Sequence, residues 1–294
     1  MKLEEESRFA RLVADFCENR LAVAGALMFA IILVIACTAT WISPQNPYDL
    51  AQLDVLDSKL EPGSKLGNGK TALLGTDDQG RDMLSGIFYG IRISLFVGMA
   101  ATFLALVIGA SIGMLAAYAG GRTDSILMRI ADIQLSFPPI LIALVLLVLL
   151  GTGLGKIITA LVTVQWAYYA RTVRGAALVE RRKEYIEAAR VLALPASRIV
   201  FRHLLPNCMP PLIVIATVQI ASAITLEATL SFLGLGLPIT EPSLGLLIAN
   251  GFNYMLSGRY WISTYPGIAL LLMIVSINLV GDQLRDVLNP RLRK

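Results

Sequence analysis

Few residues of this chain have the types and spacing that chemistry requires. GNGKT at 67–71 comes nearest to a phosphate-cradling loop, which needs G-x-x-x-x-G-K-[ST]. The position that must be glycine is Ser64, and Gly63 stands one residue too far. No strand is expected before the stretch and no good helix after it, so a solvated turn is expected and no ATP site in this chain. The single histidine, His203, has no H-E-x-x-H spacing around it, and no G-x-S-x-G elbow is present. No catalytic residue and no metal site are expected. Two groups of carboxylates carry more information. Asp77, Asp78, Arg81 and Asp82 crowd beside Gly75 and Gly80 in LLGTDDQGRDMLSGIFYGIRISL, 73–95. This reads as a polar turn whose acids complement the positive end of the helix that follows. Glu227 stands alone in an apolar run, with Gln219, Ala223 and Ser231 at minus eight, minus four and plus four, and Ser222 alongside. A charge at a helix centre in a bilayer costs about 2.5–3.5 kcal/mol, so this face must meet protein or water. Two roles stand open for Glu227. One is a structural carboxylate bonded to a neighbouring span or subunit; the other is a member of a translocation path, near its outer gate, meeting a substrate ammonium.

KEYIEAARVLALPASRIVFRHLLPN, 183–207, is polar in a mostly apolar chain. Tyr185, Ile186, Ala189 and Leu192 recur at three- and four-residue steps, the pattern of an amphipathic helix. Pro195 then restarts the chain, because proline suits a first helical turn and not an interior. A helix, a tight turn and a second helix are expected. Lys183, Glu184, Glu187 and Arg190 cover the polar side, and Ala188 and Ala189 keep part of the surface flat. Such an elbow is either a basic loop or a helix presented to a soluble partner, with Glu187 as a directed charge.

These elements must be held by a membrane protein. Of 294 residues 56% are hydrophobic and 16% charged, and mean hydropathy is +0.68. Soluble domains carry roughly 25% charged residues. The net charge of +4 does not point to nucleic acid, because basic residues collect in cytoplasmic loops. Cys17, Cys37 and Cys208 are odd in number and suggest no disulfide framework. Apolar runs at 21–43, 93–119, 133–151, 156–173, 209–234 and 264–283 approach or exceed the ~20 helical residues that cross a hydrocarbon core. With the N-terminus inside, 18 Lys and Arg fall on the cytoplasmic side and 7 outside, so both termini are expected in the cytoplasm. The first run follows four basic and five acidic residues, unlike a signal n-region, and is expected to remain as an anchor.

EAARVLALPASRIVFRHLLPN closely resembles the signature of ABC importer permeases, E-A-A, three residues, G, nine residues, I-x-L-P. LLGTDDQGRDMLSGIFYGIRISL, LSFLGLGLP and NLVGDQLRDVLNPRLRK resemble signatures of the dipeptide/oligopeptide/nickel branch, of the DppC/OppC type. Ala193 stands where the family has its turn glycine, and Asn289 replaces the usual Asp of the C-terminal ending. Alanine at that turn leads us to expect a turn without positive φ.

The resemblance implies an all-α type I ABC importer permease fold with six transmembrane helices. A cytoplasmic segment (1–20) and a first span (21–43) precede an extracytoplasmic segment (44–92). The permease domain (93–283) and a cytoplasmic tail (284–294) follow. It implies a bacterial inner-membrane location, a homologous second permease, one or two ATPase subunits that bind ATP and Mg, and an extracytoplasmic substrate-binding protein. No cofactor is implied in this chain. Tyr185, Glu187, Ala188, Ala189, Arg190, Ala193 and Arg198 would couple to an ATPase. Gln219, Ser222, Ala223, Glu227 and Ser231 would line the path. Gly75, Asp77, Gly80, Arg81, Asp82, Asp282 and Arg285 belong to motifs without an assigned role. Short peptides are the branch's commonest cargo; nickel chelates, glutathione, opines and antimicrobial peptides are the alternatives. A secondary carrier would want an inverted repeat, and none is evident; a membrane hydrolase lacks its constellation.

Overall fold

The computed structural model describes residues 8–49, 53–238 and 240–288, with backbone alone for 8–11. Asn289 and most of the expected tail lie outside the described residues. Almost all of the described chain is helical. α1 (Arg8–Cys17) is a short amphipathic helix, and α2 (Arg20–Ile42) follows with Asn19 as its N-cap. The Asn19 side chain accepts from the Leu21 and Ala22 N–H groups, which have no partner within the helix. A compact excursion holds a two-residue hairpin, β1 (Ser64–Lys65) and β2 (Thr71–Ala72).

α3 (Met83–Ala119) starts ten residues before the run expected at 93. Asp82 caps it, taking the Ser85 N–H at 2.8 Å, so the polar residues of 73–95 that seemed to bound the span lie partly within it. At 37 residues it is about 55 Å long, against a hydrocarbon core of about 30 Å.

The run expected as one span at 133–151 is broken. α4 (Gly121–Leu135) and α5 (Pro139–Leu150) meet at 89°. Pro138 and Pro139 have no N–H to return to the preceding turn, and a proline drives its predecessor out of helical φ/ψ. α6 (Leu154–Glu180) and α10 (Met209–Phe232) follow, and α12 (Trp261–Leu288) ends the described chain.

Between α10 and α12 lies α11 (Leu244–Phe252), which is too short for a span and went unseen in the sequence. Ser243 caps it, and Leu244, Gly245, Leu246, Leu247 and Gly251 are buried. Among the described residues, α2, α3, α10 and α12 are long and apolar enough to cross a membrane. The bent α4–α5 pair makes a fifth if it counts as one span. α6 has the length, but Lys156, Arg171, Arg174 and Glu180 dilute its hydropathy.

α3 and α6 run side by side in the same direction. Thr102 faces Gln165, Gly109 faces Trp166 and Tyr169, and Gly113 faces Ala170. A Cβ on Gly113 would lie 2.3 Å from the Ala170 carbonyl oxygen, so only glycine allows this approach. Gly113→Ala should force the helices apart and cost about 1–3 kcal/mol, read as a lower thermal midpoint of the detergent-solubilised protein. An unchanged midpoint would refute the close contact.

Candidate functional site

The elbow is built from the end of α6 onward. α7 (Glu184–Val191) carries Glu184 and Glu187 in its first turn and Arg190 in its last, the arrangement that complements a helix dipole. Its C-terminus is a Schellman turn. The Leu194 N–H donates to the Ala189 carbonyl at 3.1 Å and the Ala193 N–H to the Arg190 carbonyl at 2.9 Å. These bonds require a left-handed residue at Ala193, and its φ is 54°. The expectation of a turn without positive φ is overturned: the pair of terminating bonds sets the geometry in spite of the alanine. Pro195 then leads into α8 (Ala196–Arg198), a π turn at Ile199–Leu204, and α9 (Leu205–Asn207). Pro206, which has no N–H to offer the preceding turn, lies at the end of this irregular stretch.

The elbow is fastened to the ends of α3 and α6. Ile186, Ala189, Ile199 and Leu204 are buried with Met114 and Ala117 of α3 and Val173 and Ala177 of α6. The Tyr185 hydroxyl donates to Glu180 Oε1 at 2.6 Å and accepts from Asn207 Nδ2 at 3.1 Å. Lys183 Nζ lies 2.8 Å from Glu180 Oε2. Burial and the Glu180 carboxylate push the Tyr185 phenol up, which keeps it a donor. Burial also pushes the Cys208 thiol up to about 11, so it stays protonated at neutral pH. Arg181 Nη1 donates to the Ala117 carbonyl at 2.7 Å, closing one of the open carbonyls at the end of α3. Glu180, Arg181 and Asn207 were not singled out in the sequence, since a hydrogen-bonded bracket has no fixed spacing.

Of the expected coupling residues, Glu187, Ala188, Arg190, Ala193 and Arg198 are exposed. Tyr185 is half-exposed with its hydroxyl turned inward. Ala189, expected on the docking surface, faces the core. Leu192, expected on the inner face, is 73% exposed, beside Val191 at 86% and Phe201 at 69%. The helix ends at Val191, so the chain turns before Leu192 can follow the buried stripe.

The acidic motif at the other end of α3 is an interlocked turn. Asp77 Oδ1 accepts from the Gln79 and Arg81 N–H groups, both at 2.8 Å. Burial pushes the Asp77 carboxyl up to about 6, against the lowering pull of those N–H groups and the Arg81 charge. The Asp82 N–H donates to Gln45 Oε1 at 2.7 Å, and Trp261 Nε1 donates to the Thr76 carbonyl at 3.3 Å. Gly75 and Gly80 have positive φ, and a Cβ on Gly80 would lie 2.1 Å from the Asp54 carbonyl oxygen. The motif therefore ties the 44–82 excursion to the starts of α3 and α12. GNGK is the hairpin loop, flanked by β1 and β2 where no strand was expected. Its Gly67 N–H is taken by the Asp57 carboxylate, and Lys70 Nζ by the Pro44 carbonyl. Among the described residues no cluster of His, Cys, Asp or Glu gathers as a metal ion requires.

The expected polar stripe of α10 divides. Glu227 is fully buried and faces α3, where the Ser94 hydroxyl donates to Oε2 at 2.8 Å; the Ser231 hydroxyl donates to Oε1 at 2.7 Å. Ala223 and Ser231 are buried with it. These three are not among the residues that line the open cavity of about 440 Å³ beside α10. Gln219 and Ser222 do line it, with Gln165, Tyr168, Thr225 and Asn278, which the sequence reading missed. Asp282 and Arg285 are exposed on the last turns of α12. Between them Gln283 accepts from Asn19 Nδ2 at 2.9 Å and donates to the Asp15 carbonyl at 3.2 Å.

Residues 109–294 match a family described as "Binding-protein-dependent transport system inner membrane component". Residues 7–62 match "N-terminal TM domain of oligopeptide transport permease C". The chain is 41% identical over 280 residues to the dipeptide transport system permease protein DppC of Escherichia coli, covering 95% of this chain and 92% of that protein. It is 37% identical over 280 residues to the di/tripeptide transport system permease protein DppC of Pseudomonas aeruginosa, covering 95% and 91%. The fold is similar to a chain of the MetNI methionine ABC transporter in an inward-facing conformation. That likeness has a TM-score of 0.58 and 23% identity, and covers 70% of this chain and 98% of that one.

A left-handed alanine carries roughly 1 kcal/mol of strain that glycine lacks. Ala193→Gly should leave the elbow folded and stabilise the protein by up to about 1 kcal/mol, while Ala193→Val should destabilise it. Thermal melts of the purified variants would show that order; the reverse order would contradict the left-handed turn.

Proposed function

This chain belongs to the family of binding-protein-dependent transport system inner membrane components, and we propose that it carries di- and oligopeptides across a bacterial inner membrane. It is a multi-pass permease subunit, and ATP hydrolysis belongs to separate subunits. The observation that supports the coupling reading is the elbow itself. It presents exposed apolar Val191, Leu192 and Phe201 among Glu187, Arg190 and Arg198, on a base fixed to α3 and α6. An apolar crown ringed by charge suits burial against a soluble protein. In this reading one or two ATPase subunits, carrying ATP and Mg, receive α7 in a groove, with Glu187 making the polar contact and Ala188 allowing close approach.

A homologous second permease completes the pathway, and an extracytoplasmic binding protein delivers the peptide. ATP closes the ATPase pair, the elbow moves as one body, and the helices exchange inward-open and outward-open states. Turning a 1:99 population into 99:1 takes about 5.5 kcal/mol of differential binding. The Glu180–Tyr185–Asn207 bracket and the Schellman turn tie the parts of the elbow to one another and to the end of α6, which supports movement as one body.

The membrane crossing proposed here has six passes: α2, α3, the bent α4–α5 pair, α6, α10 and α12. Both termini and the elbow lie in the cytoplasm, following the basic residues. In a variant lacking the native cysteines, a cysteine at Asn68, exposed in the hairpin loop, should react with an impermeant thiol reagent in intact cells. One at Ser197, exposed in the elbow, should react only after permeabilisation. The opposite pattern overturns the orientation.

Coupling has its own test. Glu187→Ala should leave the permease in the membrane but weaken copurification of the ATPase, or uncouple hydrolysis from peptide uptake. A charge-assisted contact is worth about 1.5–3 kcal/mol, so the loss should be roughly tenfold or more. Wild-type uptake and copurification would reduce the elbow to a basic loop.

A further inference from the structure

The cavity of about 440 Å³ lies between the start of α5, α6, α10 and α12, and its lining is unusual for this chain. Its wall is mostly apolar, set with polar groups that carry no charge. Gln165, Tyr168, Gln219, Ser222, Thr225 and Asn278 bring amides and hydroxyls to its wall, and no carboxylate, ammonium or guanidinium lines it. The volume falls in the ordinary range for small-ligand pockets, about 300–1,000 Å³.

Two facing glutamines differ in a telling way. The Gln165 amide is used by the fold: Nε2 donates to the Gln219 carbonyl at 2.9 Å, and Oε1 accepts from the Thr102 hydroxyl at 3.4 Å. That bond holds the backbone of α10 against α6. Gln219 is only 7% exposed, lines the cavity, and its own side-chain amide makes no hydrogen bond among the described residues. That amide keeps access to the cavity, so water or a ligand there can pair with it. Glu227, the one carboxylate within α10, is turned away to Ser94 and Ser231.

From this geometry we infer that the cavity is a transit site for the main chain of the transported peptide, with Gln219 as its principal hydrogen-bonding group. The inference rests on the peptide-permease reading and adds the mode of contact. A side-chain amide donates and accepts together, as a peptide group does, so one Gln219 can pair with a backbone C=O and N–H of any sequence. A wall without charge neither attracts nor repels the peptide's side chains, and passage becomes insensitive to their charge.

The test uses the whole complex with its binding protein in proteoliposomes, supplied with Ala-Ala, Lys-Ala or Glu-Ala. Gln219→Leu should slow uptake of all three alike, by about fivefold for one lost hydrogen bond. Gln219→Lys should in addition slow Lys-Ala relative to Glu-Ala by several-fold, and Gln219→Glu should give the reverse order. ATP hydrolysis stimulated by the binding protein is the second readout and should persist in each variant. If all three variants transport every dipeptide at the wild-type rate, the cavity is not on the path, and the inference fails while the permease reading stands. If the variants lose the second permease on purification, with no change in charge preference, the cavity is a subunit contact and the inference is also overturned. Absence of ATP-driven dipeptide uptake by the wild-type complex would instead remove the reading beneath it.

Discussion

The backbone contact between α3 and α6 is the constraint on which the other sites hang. Gly109 and Gly113 let α3 lie against the carbonyls of Trp166 and Ala170, and side chains elsewhere on the two helices are then held in register. At one end that register brings Arg181 to the Ala117 carbonyl and gives the elbow a floor of Met114, Ala117, Val173 and Ala177. Midway it sets Thr102 beside Gln165, which in turn grips α10. In lipid there is little hydrophobic gain from helix association, so close van der Waals contact and interhelical hydrogen bonds must supply it. The two glycines admit the first, and the polar rungs provide the second.

The polar groups inside the bundle follow the same economy. Glu227 has a serine on its own helix and another on α3, so each carboxylate oxygen accepts a hydroxyl without contact with hydrocarbon. Outside the apolar region, the excursion after α2 is held by backbone bonds and by Asp77, Asp82 and Gln45 rather than by a core of its own. Its described part is an extension of the starts of α3 and α12.

The apolar runs and the elbow were legible because hydropathy and three-to-four spacing report directly on side chains. α2, α10 and α12 lie within a few residues of the runs that announce them. Other features were not legible, each for a physical reason. The α4–α5 break depends on missing N–H groups at Pro138 and Pro139, which hydropathy does not see. α11 is apolar but short, and burial against α10 and α12, not length, stabilises it. Ala193 adopts positive φ because two terminating bonds demand it, although residue type argues otherwise. The α10 stripe was recognised as polar, but its division between Glu227 facing α3 and Gln219 facing the cavity is a rotation that one sequence does not display. Val191, Leu192 and Phe201 were hidden for a related reason: where a helix stops, its periodicity no longer says which way a side chain faces.

The bend at Pro138–Pro139 has a consequence for how this corner of the molecule is held. α5 has 12 residues and spans about 18 Å, well short of a hydrocarbon core of about 30 Å. α4, set at 89° to it, carries Asp124 and Asp132. Their partners, Arg174 and Arg171, sit on α6, the former in a bidentate pair at 2.6 Å and the latter at 3.2 Å. The right-angled corner is thereby braced on both arms: α4 is tied to α6 by these ion pairs, and α5 by the packing of Ala143 and Leu147 with Ile157 and Leu161.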